Sequence, residues 1–158
     1  MFREVVRKKQ KLSEADCIAV LKHEVRGVLA VLGDDEYPYA VPTNYWYNEE
    51  DGRLYFHSGK SGHKIDAIKR HDKASFCVYD SGIRKEGDWA LTFQSVIVFG
   101  RIEIVEDHER AMELTRRLSL RFTEDTDYIE QEIKQAGWRT LVFALVPEHI
   151  TGKTIHEA

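Results

Sequence analysis

Cysteine is scarce in this chain of 158 residues: Cys17 and Cys77 are the only two, with no CxxC spacing. Neither a disulfide framework nor a cysteine-rich zinc site can be built from them, and a reducing compartment fits. Long hydrophobic runs are also lacking, since nowhere do 18 apolar residues follow one another, so no ordinary membrane-spanning helix is expected. The basic start, Met1 to Lys9, leads into no apolar stretch of the signal-peptide kind, and a cytoplasmic location is expected. An excess of positive charge is missing too. With 23 Lys and Arg against 27 Asp and Glu the net charge is −4, which argues against a general nucleic-acid binder. Repeats, linkers and low-complexity segments are absent, so residues 1–158 read as one domain.

What is present is patterned. Ser13-Glu14-Ala15-Asp16 is a capping signal, and Cys17, Ile18, Leu21 and Val25 then recur on one helical face. Gly27 to Leu32 is an apolar run ended by Gly33-Asp34-Asp35-Glu36, which predicts a hairpin into a strand over Tyr37 to Tyr47. Arg53 to His57 predicts a third strand, with Leu54 and Phe56 on one face and Tyr55 and His57 on the other, continuing a meander. Ile65 and Ile68 fit a short helix capped by Ser61. Lys73 to Tyr79 and Trp89 to Val105 return to strand character, the latter bent at Gly100. From Asp107, the positions Ala111, Leu114, Thr115, Leu118 and Phe122 trace an amphipathic helix; Asp125 to Ala136 predicts another. Arg139 to Val146 is apolar on both faces, as a strand covered on both sides would be. Strands joined by connections too short for crossover helices exclude a doubly wound parallel sheet. The expected class is β-rich α+β, an antiparallel barrel with peripheral helices.

Three stretches carry candidate chemistry. Residues 53 to 73 hold six basic side chains against Asp66 and Asp72, a local +4 that leaves −8 for the rest. Within them, His57-Ser58-Gly59-Lys60-Ser61-Gly62-His63-Lys64 has no acid and combines glycines, hydroxyls and lysines before a helix start, as a phosphate-binding loop does. A solvated basic turn has the same composition. It is not a P-loop, because Leu54 stands where that pattern needs Gly. Second, Pro42 interrupts the aromatic-rich run Tyr39 to Tyr47, leaving backbone groups that a flat heteroaromatic ring could use, or marking only a bulge. Third, Gln94 and Ser95 precede a clean strand where a ligand could cross it. Seven histidines offer no HExxH or facial triad, so no metal site is expected; no GxSxG elbow or Cys–His pair supports a hydrolase.

Taken in order, Gly27 to Ala30, Tyr37 to Tyr45, Leu54 to Ser58, Gly62-His63-Lys64, Ser75-Phe76, Ser95 to Gly100 and Ile150 to Lys153 resemble the pyridoxamine-phosphate-oxidase-like FMN-binding split barrels, nearest the nitroimidazole-resistance branch. The resemblance spans nearly the whole chain. It implies a six-stranded antiparallel split β-barrel that binds FMN at a homodimer interface. It also implies that Pro42, Thr43, Asn44 and Tyr45 hold the isoalloxazine edge and ribityl chain, with His57 and Ser58 at the next strand's end. Lys64 would meet the phosphate, and Ser95 with Val96 would close over the cofactor. His57 matches the histidine near flavin and substrate in that branch and is the catalytic candidate. Lys60 and His63 have no clear match. The implied activity is an FMN-dependent oxidoreductase acting on a small molecule, with nitroaromatic reduction as one reaction and NAD(P)H as a donor to test. The alternative is a non-catalytic flavin- or heme-binding protein on the same barrel, with His57, His63 or His149 as axial ligand.

Overall fold

The alternation in Arg53 to His57 is resolved as two separate cores. In the computed structural model, which describes residues 1–157, Leu54 and Phe56 enter the main barrel core. Tyr55 faces the other way into a smaller cluster with Val142, Ala144, Met112 and Leu114. The strand with period two is therefore covered on both sides, by the barrel interior and by a helix.

The elements run α1 (Glu14–His23), β1 (Arg26–Leu32), β2 (Pro38–Asn44), β3 (Trp46–Asn48), β4 (Arg53–Gly59), α2 (His63–Arg70), β5 (Lys73–Tyr79), β6 (Ile83–Arg84), β7 (Leu91–Ile104), α3 (His108–Ser119), α4 (Thr126–Ala136) and β8 (Thr140–His156). All strand pairs are antiparallel, in the order β2-β1-β5-β7-β8-β4-β3, with β6 attached to β7. Six strands have seven residues or more; β3 and β6 are short additions. The protein is a β-rich α+β split barrel. Three helices start as their side chains dictate: Ser13 accepts from the Asp16 N–H, Asp107 from Arg110 and Asp125 from Tyr128.

Four expectations change. The single strand over Tyr37 to Tyr47 is broken at Tyr45, whose ring turns inward, fully buried, and whose hydroxyl donates to the Leu21 carbonyl at 2.7 Å. That break sends β3 and β4 to the far end of the ladder, so the meander stops after the first hairpin. The last strand continues past Val146 to His156, because the β7–β8 register slips between Phe99 and Gly100, which pair with His149 and Pro147, and leaves Glu148 as the extra residue. Gly100 is required there: a Cβ would lie 2.1 Å from the Val146 carbonyl oxygen. Helix α3 ends at Ser119, leaving Phe122 beyond it and exposed. Finally, α2 begins at His63 behind Gly62, not behind a Ser61 cap, because φ of 124° at Gly62 sets a chain direction that side-chain-bearing residues rarely adopt.

Candidate functional site

The start of α2 is the most unusual ground in the molecule. Gly62 gives the helix no side-chain cap, so the first amides of α2 lack the partner that Ser or Asp supplies elsewhere in this chain. Lys64 sits in that same turn. It is partly buried, its ammonium lies 6.0 Å from the centre of the Phe143 ring, and no carboxylate pairs with it among the described residues. Burial alone holds its pKa below the usual lysine range.

His57, at the end of β4, lies close enough to feel that charge. Its ring keeps a solvent-exposed edge but is crowded by protein, and desolvation followed by the Lys64 charge pushes its pKa below the ordinary histidine value. The neutral imidazole is favoured at neutral pH. Ser58, partly buried, follows on the same strand. The corner thus combines uncapped amides, an ammonium with no carboxylate partner among the described residues and a histidine biased against carrying charge. This set matches a phosphate, which brings the negative charge the corner lacks and accepts hydrogen bonds from N–H and O–H alike.

His63 has another task. Its ring stacks on Tyr39 with centroids 4.0 Å apart, and its Nε2 accepts from the Asp34 N–H at 3.3 Å. Arg70, at the other end of α2, bonds Asp34 at 2.8 Å. The helix is therefore pinned at both ends to the β1–β2 turn, which fixes the direction of its N-terminus. Gly33 belongs to the same fit, since a Cβ there would meet His63 Nε2 at 3.0 Å and Tyr39 Cβ at 2.9 Å.

The remaining sequence-predicted residues lie on the β1–β2–β5–β7 part of the sheet. Ladder register aligns Pro42, Val28, Cys77, Ile97 and Thr151 as one row across five strands. Ser95 lies two residues from that row on β7 and pairs with Tyr79 and Lys153. Asn44 accepts from Arg26 Nε at 2.8 Å, and the Thr43 hydroxyl bonds the Asn44 carbonyl. Val96 and Tyr45 are fully buried core side chains, so only their backbone remains to meet a ligand. On the ladder, β4 with His57 and Ser58 adjoins β8, the last strand of that row, while α2 with Lys64 is pinned to the β1–β2 turn. Cys77 is raised by burial and stays a thiol at neutral pH. His149 lies flat against Phe2 at 5.0 Å with its Nε2 buried and unpartnered.

Two features were not legible in the sequence. One is the set of uncapped amides behind Gly62, whose only signal is the glycine before His63. The other is a cavity beneath α3 and α4 that reaches His57 and is lined also by Thr115, Ser119, Ile133 and Thr140. Helical spacing placed Thr115 on the correct helix but gave no sign of a hollow.

Among solved structures, the chain is similar to a candidate 5-nitroimidazole antibiotic resistance protein from Bacteroides thetaiotaomicron (18% identity, 92% of this chain and 87% of that one, TM-score 0.74). It is also similar to an FAD-binding protein from Mesorhizobium loti (24% identity, 92% and 97%, TM-score 0.65). A flavocytochrome from Azotobacter vinelandii shares the fold as well (20% identity, 96% and 72%, TM-score 0.70). No curated protein matches the sequence. The model of the pyridoxamine 5'-phosphate oxidase family matches residues 13–154, which takes in every element from α1 to most of β8 and both halves of the candidate site. By that match, the chain is a member of the pyridoxamine 5'-phosphate oxidase family.

Proposed function

We propose that this protein binds FMN and works as an oxidoreductase on a small molecule. The observation that carries the reading is the unpaired, partly buried Lys64 at the uncapped start of α2. A desolvated ammonium without a counter-ion costs stability, and a phosphate supplies the missing charge. Lys64, Ser58 and the α2 amides hold the phosphate. Pro42, Thr43, Asn44 and the backbone of Tyr45 meet the ring and ribityl chain, with Ser95 and the backbone of Val96 across the sheet. Bound flavin supplies hydride or electron transfer, and the protein sets orientation and the charge around the ring. His57, neutral at pH 7, orients substrate or passes a proton.

The reading includes a homodimer in which two chains complete each site. The half-exposed row Val28, Cys77 and Ile97 is the apolar surface on which a second copy would sit. Nitroaromatic compounds with NAD(P)H as donor are the first substrates to assay.

The test is the visible spectrum of the purified protein with the mass of its released pigment. A two-band flavin spectrum with the FMN mass supports the reading, and the FAD mass corrects the cofactor. A Soret band, or colourless protein that fails to bind added FMN, overturns it. Sedimentation velocity at micromolar concentration checks the dimer.

A further inference from the structure

The N-terminal segment roofs the outer face of β7 and β8 without joining it. On β7, Ser95, Ile97 and Phe99 alternate with the fully buried Val96 and Val98 and so face outward, and register sets Lys153, Thr151 and His149 opposite them on β8. Among the described residues, Met1 to Arg7 make no backbone hydrogen bond to the sheet; the first ties are the bridge between Lys11 and Lys153 and the bond from the Leu12 N–H to the Gly152 carbonyl at 2.9 Å. Side chains hold the rest. Phe2 stacks on His149 with centroids 5.0 Å apart, and Glu4 pairs with Lys11, which closes the segment into a loop. Between Phe2 and Leu12 the chain stands off the sheet and leaves a cavity of about 380 Å³.

The charge around that cavity is of one sign. Arg3 and Arg7 line it from the segment and Lys153 from β8, and none of the three has a carboxylate within ion-pair distance among the described residues. The acid in the lining, Glu4, is already committed to Lys11. The hydroxyls of Ser95 and Thr151 can donate or accept and so favour neither sign of ligand. The selection comes from the cations. Each is exposed and alone costs nothing in water, but like charges on the roof and the floor of one hollow repel across it and oppose its closing. An anion between them turns that repulsion into attraction. Guanidinium forks match the paired oxygens of a carboxylate or phosphate, and Ile97 and Phe99 give an apolar floor beside them.

We propose that the N-terminal segment and the β7–β8 face together bind a small organic oxyanion, a carboxylate or a phosphate monoester, with its charged head among Arg3, Arg7 and Lys153 and its hydrocarbon part on Ile97 and Phe99. A cation of the same size would meet three like charges, and a neutral ring would leave them unused. The volume is at the small end of ligand pockets and suits a single ring or a short chain. The site draws on neither Lys64 nor α2 and so goes beyond the flavin reading. Ser95 borders the proposed flavin site and Ile97 the proposed dimer surface, so FMN uptake and sedimentation are measured on the same variants.

The experiment is calorimetric titration of the purified full chain at pH 7 with benzoate, phenyl phosphate, benzyl alcohol and benzylammonium. The tighter of the two anions should bind at least about tenfold more strongly than the alcohol, since hydrogen bonds to a charged group are the stronger class; which anion that is names the head group. Benzylammonium should not bind. The double variant Arg3→Ala with Arg7→Ala should weaken the anion by at least about tenfold. Lys8→Ala with Lys9→Ala removes the same charge from the same segment at exposed positions outside the cavity lining, and should leave affinity within about twofold. Anions that bind no tighter than the alcohol, unchanged affinity in the arginine pair, an equal loss in both pairs, or no anion binding at millimolar concentration would each overturn the proposal. An arginine pair that loses FMN by the same factor as the anion would also overturn it, by making the cavity part of the flavin site. Anion binding by protein that takes up no FMN would uphold this site while sinking the flavin reading.

Discussion

Arg101 on β7 and Lys64 on α2 are both cations at the margin of the barrel, and the fold treats them in opposite ways. Arg101 is exposed and doubly neutralised: it bonds both oxygens of Asp72 at 2.9 and 3.0 Å and approaches Glu148 at 3.6 Å. Arg53, Arg70 and Arg116 likewise have their carboxylates in Glu103, Asp34 and Glu130. Lys64 loses more water than Arg101 and receives no counter-ion among the described residues. Exposed pairs contribute little because water screens them, whereas a desolvated unpaired charge lowers stability. On the proposed reading, a bound phosphate supplies the charge that Lys64 lacks.

The sharpest way to break this contrast is charge reversal. Lys64→Glu should lower FMN affinity by at least about a hundredfold, because it replaces a charge-assisted contact of about 1.5–3 kcal/mol with repulsion; quenching of flavin fluorescence on titration measures it. Lys64→Met should have two effects of opposite sign, weakening FMN by about tenfold or more while modestly raising the urea midpoint of flavin-free protein. A lowered midpoint would show that the ammonium is not an unmet cost. Retention of wild-type FMN affinity in either variant would remove Lys64 from the phosphate site.

Protonation sharpens the same point. The pKa of His57 is lowered on folding, so as pH falls through the ordinary histidine range the unfolded chain takes the proton first and flavin-free protein loses stability. A bound phosphate raises the His57 pKa again, so FMN binding should take up protons near neutral pH. Calorimetry in buffers of different ionisation enthalpy reads that uptake, and His57→Gln should reduce it to what the phosphate itself contributes. The smallest effect belongs to the other side of the comparison: Arg101→Ala should leave FMN affinity within about twofold, as expected for an exposed pair.

Much of the framework was legible locally. Ser13, Asp107 and Asp125 announce their helices because a cap is a bond between residues three apart. The bend at Gly100 was also legible, although its cause is a carbonyl supplied by a strand some 45 residues away. Tyr45 was not: a tyrosine in an aromatic run can face a ligand or the core. The acceptor at Leu21, on a helix of the opposite periodicity, decided for the core. His63 was ambiguous for the same reason until the β1–β2 turn came beneath it.

By itself the sequence determined the antiparallel β-rich class, the order of most elements and the basic character of residues 53 to 73, all of which follow from periodicity, turn chemistry and charge within a few residues. Only the tertiary structure decided which cations are neutralised, that β3 and β4 cross to the far end of the sheet, and that two helices leave a hollow beside His57. Those outcomes depend on which distant groups meet in a desolvated space, and no local pattern encodes the distance between residues that the chain brings together only by folding.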